Sequence, residues 1–313
     1  MARVKFQELN FRPKTKAILV DVHKVLQDFR EKGFNVLTLR QLYYQFVARD
    51  LFPDSWYDPE YESKNNPKSY NKFGNIISKG RRAGVIDWGA IEDRGRKLLG
   101  FEEHTNVDSF FEDLEYNYHV NLWKNQRYRV EVWAEKDAVT NVVQAACDPF
   151  GVDYMANKGY SSDSALYRAA QRIKHHMTYS EQFTIVIYIG DHDPSGIDMT
   201  RDLSERMQLF GGWKDKFPIY RIALNYDQVE AMSLPPDPAK TADPRGFGYI
   251  EKYGTNAWEL DAIPPDILKE IIQDGIKEFI DDEDDFYGRI EQRDKERLKI
   301  RRFLNTYDKF EKK

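Results

Sequence analysis

Two carboxylates stand two residues apart where an apolar run ends. The run 184–189 leads through Gly190 straight into Asp191, His192, Asp193, Pro194, Ser195 and Gly196. A short, β-branched run of this kind reads as a buried strand, and side chains just past the carboxyl end of a parallel strand project into the crevice where ligands bind. Paired carboxylates there make a hard oxygen site suited to Mg²⁺, with Mn²⁺ as a substitute. The run 130–133 ends in the same way, and Glu135, next to Lys136 and Asp137, becomes a third metal-binding carboxylate. Three converging acids repel one another unless a cation lies among them. Asp191, Asp193, Ser195, Gly196 and Asp202 also match an EF-hand loop, but that motif needs an entering helix and an apolar residue where Asp198 stands. A plainer reading has Asp191 and Asp193 capping the helix that begins near Ile197. One such residue suffices for a cap, and Glu135 is then left unexplained. His175 and His176 point to different sides of a helix, so they and His192 do not extend the ligand set.

The elements that position these groups follow from periodicity. Apolar runs at 130–133, 152–156, 184–189 and 217–224 alternate with helical patterns from Ala138, Ser162 and Ile197, as expected of a parallel α/β sheet. Before them, residues 15–29 and a segment capped by Thr38 are helical. A third helix follows the Pro- and Asp-rich stretch 53–67. On it Lys68, Lys72, Asn75, Lys79 and Arg82 fall within about 80° of arc, opposite Tyr70, Phe73, Ile76 and Ile77. With 84–88 as a β-like wing, the order is that of a winged helix-turn-helix whose basic helix meets DNA phosphate; a solvated lysine-rich face fits the same charges. The boundaries expected are 1–100 for this domain, 101–128 for a polar connector, 129–262 for the sheet domain, and 263–313 for a charged helical tail containing the acidic run 281–285.

Composition narrows the function classes. The 313 residues are 41% hydrophobic and 32% charged, enough for sizeable cores under a solvated surface. No run approaches the ~20 apolar residues of a membrane helix, and residues 1–10 lack a signal-peptide core. The lone Cys147 excludes an internal disulfide, so a cytoplasmic setting is expected. Residues 1–100 carry 19 Lys and Arg against 12 Asp and Glu, a net +7, while the remainder carries 28 against 40, a net −12. That asymmetry suits a polyanion grip joined to a cation-binding half.

The motifs around Glu135-Lys136-Asp137-Ala138, Lys158-Gly159-Tyr160 and Gly190 to Gly196 resemble the Toprim domain of the topoisomerase VI A subunit and of the related meiotic double-strand-break protein. Residues 38–44 resemble that family's tyrosine motif. Similarity to short, free-standing Toprim proteins of bacteria and phages runs through Trp123, Gln126, 221–228 and 258–262, so the resemblance spans about 35–270. It implies a winged helix followed by a Rossmann-like Toprim sheet, and Mg²⁺-dependent cleavage of double-stranded DNA. In that chemistry Tyr44 takes the 5′ end in a phosphotyrosyl link, Glu135, Asp191 and Asp193 hold the metal, and Glu135 doubles as acid or base. Arg81, Arg82, Lys136 and Lys158 join the basic helix as phosphate contacts. A homodimer is implied, and with no Walker loop in the chain any strand passage needs a separate ATPase subunit. Other Toprim proteins hydrolyse DNA without a tyrosine, which keeps a phage- or plasmid-defence nuclease as the alternative. Periodicity adds that Leu39, Leu42, Tyr43, Phe46 and Val47 form the buried stripe, with Tyr44 turned about 100° away toward Arg40 at i−4, a cation that favours a phenolate. Two core tyrosines in an aromatic-rich helix is the plainer alternative.

Overall fold

A computed structural model of the chain describes residues 5–92, 105–156, 161, 163–238 and 246–311. Its centre is a four-stranded parallel sheet of β3 (Tyr128–Ala134), β4 (Asp153–Ala156), β5 (Phe183–Ile189) and β6 (Ile219–Ala223), in the order β4-β3-β5-β6. Alternation decides which side chain meets which face. Val130, Val132 and Ala134, with Ile185, Ile187 and Ile189, pack under α5 (Thr140–Cys147) and α10 (Pro265–Lys277). Trp133, Val186 and Tyr188 face the other way, against α6 (Asp163–Tyr179) and α7 (Pro194–Gly211). Covered on both faces, the strands read as continuous apolar runs, and for that reason they were visible in the sequence.

The first core extends without a break into the amino-terminal helices α1 (Pro13–Glu31), α2 (Leu39–Ala48) and α3 (Pro67–Arg82). Thr38 caps α2 in a capping box with Gln41, and Asn66 caps α3. The basic face of α3 is as expected: Lys68, Lys72, Asn75 and Lys79 are exposed, whereas Phe73 and Ile77 are buried. Gly80 is needed for close packing, since a Cβ there would lie 2.8 Å from Leu19 Cδ2 and 2.9 Å from Ile86 Cδ1. Gly80→Val should therefore cost about 1–3 kcal/mol, read as a lower melting temperature in calorimetry.

The wing expected at 84–88 is absent. Gly84, at φ +69°, ends α3 in the left-handed region, and the N–H groups of Val85 (2.9 Å) and Ile86 (3.2 Å) both return to the Gly80 carbonyl. The apolar residues serve as a helix cap and not as a strand. The short strand that follows, β2 (Ile91–Glu92), pairs parallel with β1 (Leu37–Thr38). The expected connector holds a helix, α4 (Val107–Asn117), opened by a capping box at Asn106. A stripe of Val107, Phe110, Phe111 and Leu114 carries its period, hidden in the sequence by the acids between them.

The remaining short elements are α8 (Tyr226–Met232), α9 (Gly246–Tyr253) and an antiparallel pair of β7 (Asp237–Pro238) with β8 (Asn256–Ala257). The terminal helix α11 (Glu283–Glu311) begins inside the acidic run. That run has a structural use. Gln126 Oε1 accepts from the Asp281 (3.1 Å) and Asp282 (3.0 Å) N–H groups, and the Asp281 carboxylate accepts from the Arg127 N–H at 2.9 Å. Acids in the first turn of α11 also suit the positive end of its dipole. No helix among the described residues is long and apolar enough to cross a membrane.

Candidate active site

The sheet brings the expected acids to one edge. β3 and β5 are adjacent with Ala134 beside Ile189, so Glu135 and the Gly190-Asp191 step leave the sheet side by side. The Glu135 N–H donates to the Ile189 carbonyl at 2.9 Å, and the Asp191 N–H donates to Glu135 Oε2 at 2.8 Å. A Cβ at Gly190 would lie 2.6 Å from that same oxygen, so a larger residue there would displace the Glu135 carboxylate. Arg221, from β6, holds the loop from inside, donating to the carbonyls of Gly190 (3.0 Å), Asp191 (2.6 Å), Gly196 (3.0 Å) and Leu224 (3.0 Å).

A second pair of acids joins them from far along the chain. His192 and Trp258 form an antiparallel bridge, N–H to carbonyl at 2.8 and 2.9 Å, which lays residues 259–261 against Asp191. Asp191 Oδ1 accepts from the Leu260 N–H at 2.8 Å. Lys136 then reaches into the middle of the cluster: its Nζ lies 2.7 Å from Asp191 Oδ2, 2.9 Å from Glu259 Oε2 and 3.5 Å from Asp261 Oδ2. Arg40, from α2, donates to both oxygens of Glu259 and lies 3.7 Å from Asp261 Oδ2. Asp261 is fully buried, and neither of its oxygens has a hydrogen-bond partner. Four carboxylates thus face two fixed cations. Among the described residues no group of three or more His, Cys, Asp or Glu side chains is placed so that it could hold a metal ion as it stands.

The charges respond to this crowding. Burial, and then the charge of Asp191, pushes the Glu135 carboxyl well above its usual range. Burial also raises Asp191, against the pull of Lys136, and it raises Asp261. Partial burial acts on Glu259 in the same direction, yet Lys136 and Arg40 hold it below the ordinary value. A carboxyl raised in the folded state keeps a proton that the unfolded chain releases, so its contribution to stability is lost as pH rises from the carboxylate range toward neutrality. Melting in EDTA should show a lower midpoint at about pH 8 than at about pH 5, with a smaller difference in Glu135→Gln. Parallel shifts in the two proteins would put the titrating group elsewhere.

Asp193 has one carboxylate oxygen committed to its own helix. Its Oδ1 accepts from the Gly196 N–H (2.6 Å) and from Ser195 Oγ (3.0 Å), so it caps α7, the plainer reading of the two acids for this one of them. His192 is buried among Tyr226, Tyr249, Tyr253 and Trp258, with Nδ1 2.8 Å from the Tyr249 hydroxyl, and burial pushes its pKa down to about 4. Neutral and enclosed, it packs the bridge.

Tyr44 corrects the periodicity argument. It is turned toward Arg40, whose guanidinium lies 5.8 Å from its ring, yet it is as buried as Tyr43, each 2% exposed. Residues 259–261 and β7 cover the side that a single helix presents as open. The Tyr44 hydroxyl donates to Asp237 Oδ2, and Asp237 Oδ1 accepts from Asn65 Nδ2 at 2.8 Å. Burial, with the charges of Glu259 and Asp237, raises the phenol far above its ordinary pKa, and Arg40 offsets only part of that. The expected phenolate is not favoured in this state.

Comparison with protein-family models, curated proteins and solved structures finds no match. The site therefore rests on its own geometry. Of the expected phosphate contacts, Lys79 is exposed, Lys68 is exposed beside Asp58 at 2.9 Å, and Lys72 lies over the Trp56 ring at 4.4 Å. Arg82 is half-buried. Two others are committed elsewhere: Arg81 donates to the carbonyls of Trp88 (2.7 Å) and Ile91 (3.0 Å), and Lys136 is taken up by the acids. Lys158 lies outside the described residues. Asp237 and the bracing role of Arg221 carried no local signal, because both act through residues distant in sequence.

Proposed function

We propose that this chain cleaves DNA phosphodiester bonds in a Mg²⁺-dependent reaction of the Toprim type, with Mn²⁺ as a substitute. One observation carries the reading: Glu135 and Asp191, buried at neighbouring parallel strand ends, belong to a cluster in which carboxyl groups outnumber cations. A divalent cation balances that excess, and the all-oxygen donor set fits a hard ion. Glu135 and Asp191 would hold it, with Asp193 at the rim through the oxygen not used in capping. When bound, the ion withdraws charge from the phosphoryl group. Glu135, with its raised proton affinity, is suited to exchange a proton with the attacking or leaving oxygen near neutral pH. Lys68, Lys72 and Lys79 are exposed to meet the duplex backbone.

The engagement of Tyr44 with Asp237 favours hydrolysis, in which water attacks phosphorus and one P–O bond breaks. The second reading, a 5′-phosphotyrosyl link, draws support from Arg40, which connects the Tyr44 helix to Glu259. There the phenol oxygen attacks, its proton passes to Asp237, and the 3′ oxygen leaves with a proton from solvent or Glu135. A winged-helix-like amino-terminal part, a homodimer and a separate ATPase subunit belong to this second reading. The test incubates supercoiled plasmid with protein and Mg²⁺, quenches with SDS, and compares wild type, Tyr44→Phe and Glu135→Ala with and without protease. Free ends that persist in Tyr44→Phe and vanish in Glu135→Ala support hydrolysis. Covalent protein on the ends, lost in Tyr44→Phe, selects the tyrosine route, and intact plasmid throughout rejects both.

A further inference from the structure

The two carboxylates on Arg40 and Lys136 are not equivalent. Asp261 lies beneath the cations, fully buried, 3.5 Å from Lys136 Nζ and 3.7 Å from Arg40 Nε. Glu259 lies above them, 23% exposed, and takes both guanidinium donors and the ammonium. Arg40 itself is 37% exposed. If Glu259 swings away, Asp261 remains beneath both cations and Asp191 remains on Lys136 at 2.7 Å as counter-charges, and the outer face of the pair becomes free to bind an anion. A phosphoryl group presents the same fork of oxygens to a guanidinium as a carboxylate does, and binds it in the same bidentate way.

We propose that Arg40 and Lys136 form a phosphate-binding mouth beside the acidic centre, closed in this state by the chain's own Glu259 carboxylate, which an incoming phosphoryl oxyanion displaces. The inference rests on the proposed function for its occupant, a backbone phosphate, while the mouth itself is defined by the cation pair alone. Displacement exchanges the hydrogen bonds of one oxyanion for those of another on the same donors, and no covalent bond is made or broken. It also releases Arg40 from the carboxylate one helical turn from Tyr44.

The test uses the full-length chain in EDTA, so that metal takes no part. Binding of a fluorescent DNA duplex is followed by anisotropy, and binding of inorganic phosphate by calorimetry, for wild type, Glu259→Gln and Glu230→Gln. Glu230 is exposed on α8 and supplies the same change of charge away from the mouth. The expected result is tighter binding of both ligands by Glu259→Gln, by about fivefold, the gain from removing one partly exposed competing carboxylate. Glu230→Gln should change neither. A gain for phosphate without one for DNA supports the mouth and counts against nucleic acid as its occupant, so the two readings fail separately. Equal gains in both variants, or none in either, overturn the mouth. Should Glu259→Gln lose its fold by circular dichroism, Glu259→Asp keeps the charge but shortens the reach to the two cations, and a gain is required of it too.

Discussion

Asp191→Asn should abolish Mg²⁺-dependent plasmid cleavage, lowering the rate by at least about a hundredfold while leaving the protein folded. The substitution keeps the side-chain volume and the acceptor for the Leu260 N–H, and removes one negative charge from the centre of the cluster. Metal affinity should fall with it, because an amide oxygen is a weaker ligand for a hard cation than a carboxylate. Calorimetric titration with Mg²⁺, or Mn²⁺ binding followed by electron paramagnetic resonance, checks this without a cleavage assay. Wild-type affinity or wild-type cleavage in Asp191→Asn would remove the carboxylate from its assigned place.

Lys136→Met should destabilise the metal-free protein by about 3 kcal/mol, at the lower end for breaking a buried ion pair because the side chain is 24% exposed. Glu259 and Asp261 would be left with Arg40 alone, and Asp191 would lose its ion pair. Burial lowers the proton affinity of the Lys136 ammonium, but the three acids raise it further, so the wild-type side chain stays charged. Two treatments should restore the variant: lower pH, which protonates the acids, and added divalent cation, which replaces the missing charge. Urea unfolding in EDTA, at pH values on both sides of neutrality and then with Mg²⁺, reads both. A variant as stable as wild type at every pH would mean that Lys136 does not neutralise the cluster.

Legibility in the sequence followed how local each signal was. The four strands were legible because both sheet faces are covered, and Glu135 and Asp191 because they stand immediately after two of those strands. Thr38 and the α3 face were legible for the same reason, a capping residue or a 3.6-residue period contained within one segment. What failed was decided across the chain. Tyr44 looked open because a helical wheel shows one helix, while the cover arrives from β7 and residues 259–261, some two hundred positions later. The partners of Lys136 and Arg81 were not legible either, because charge is visible in a sequence and the group that meets it is not. The 84–88 wing failed more locally: a β-branched run after a helix reads as a strand unless Gly84 is credited with folding it back onto Gly80.

The bridge between His192 and Trp258 also sets an order of events during synthesis. All four sheet strands are complete once the chain has emerged as far as Ala223, and Asp191 with Lys136 can then be in place. Glu259, Asp261 and the backbone N–H of Leu260 come later, so a nascent or prematurely ended chain carries the sheet with only half of its acid cluster. Whatever its chemistry, the cluster is completed only after all four strands of the sheet have emerged.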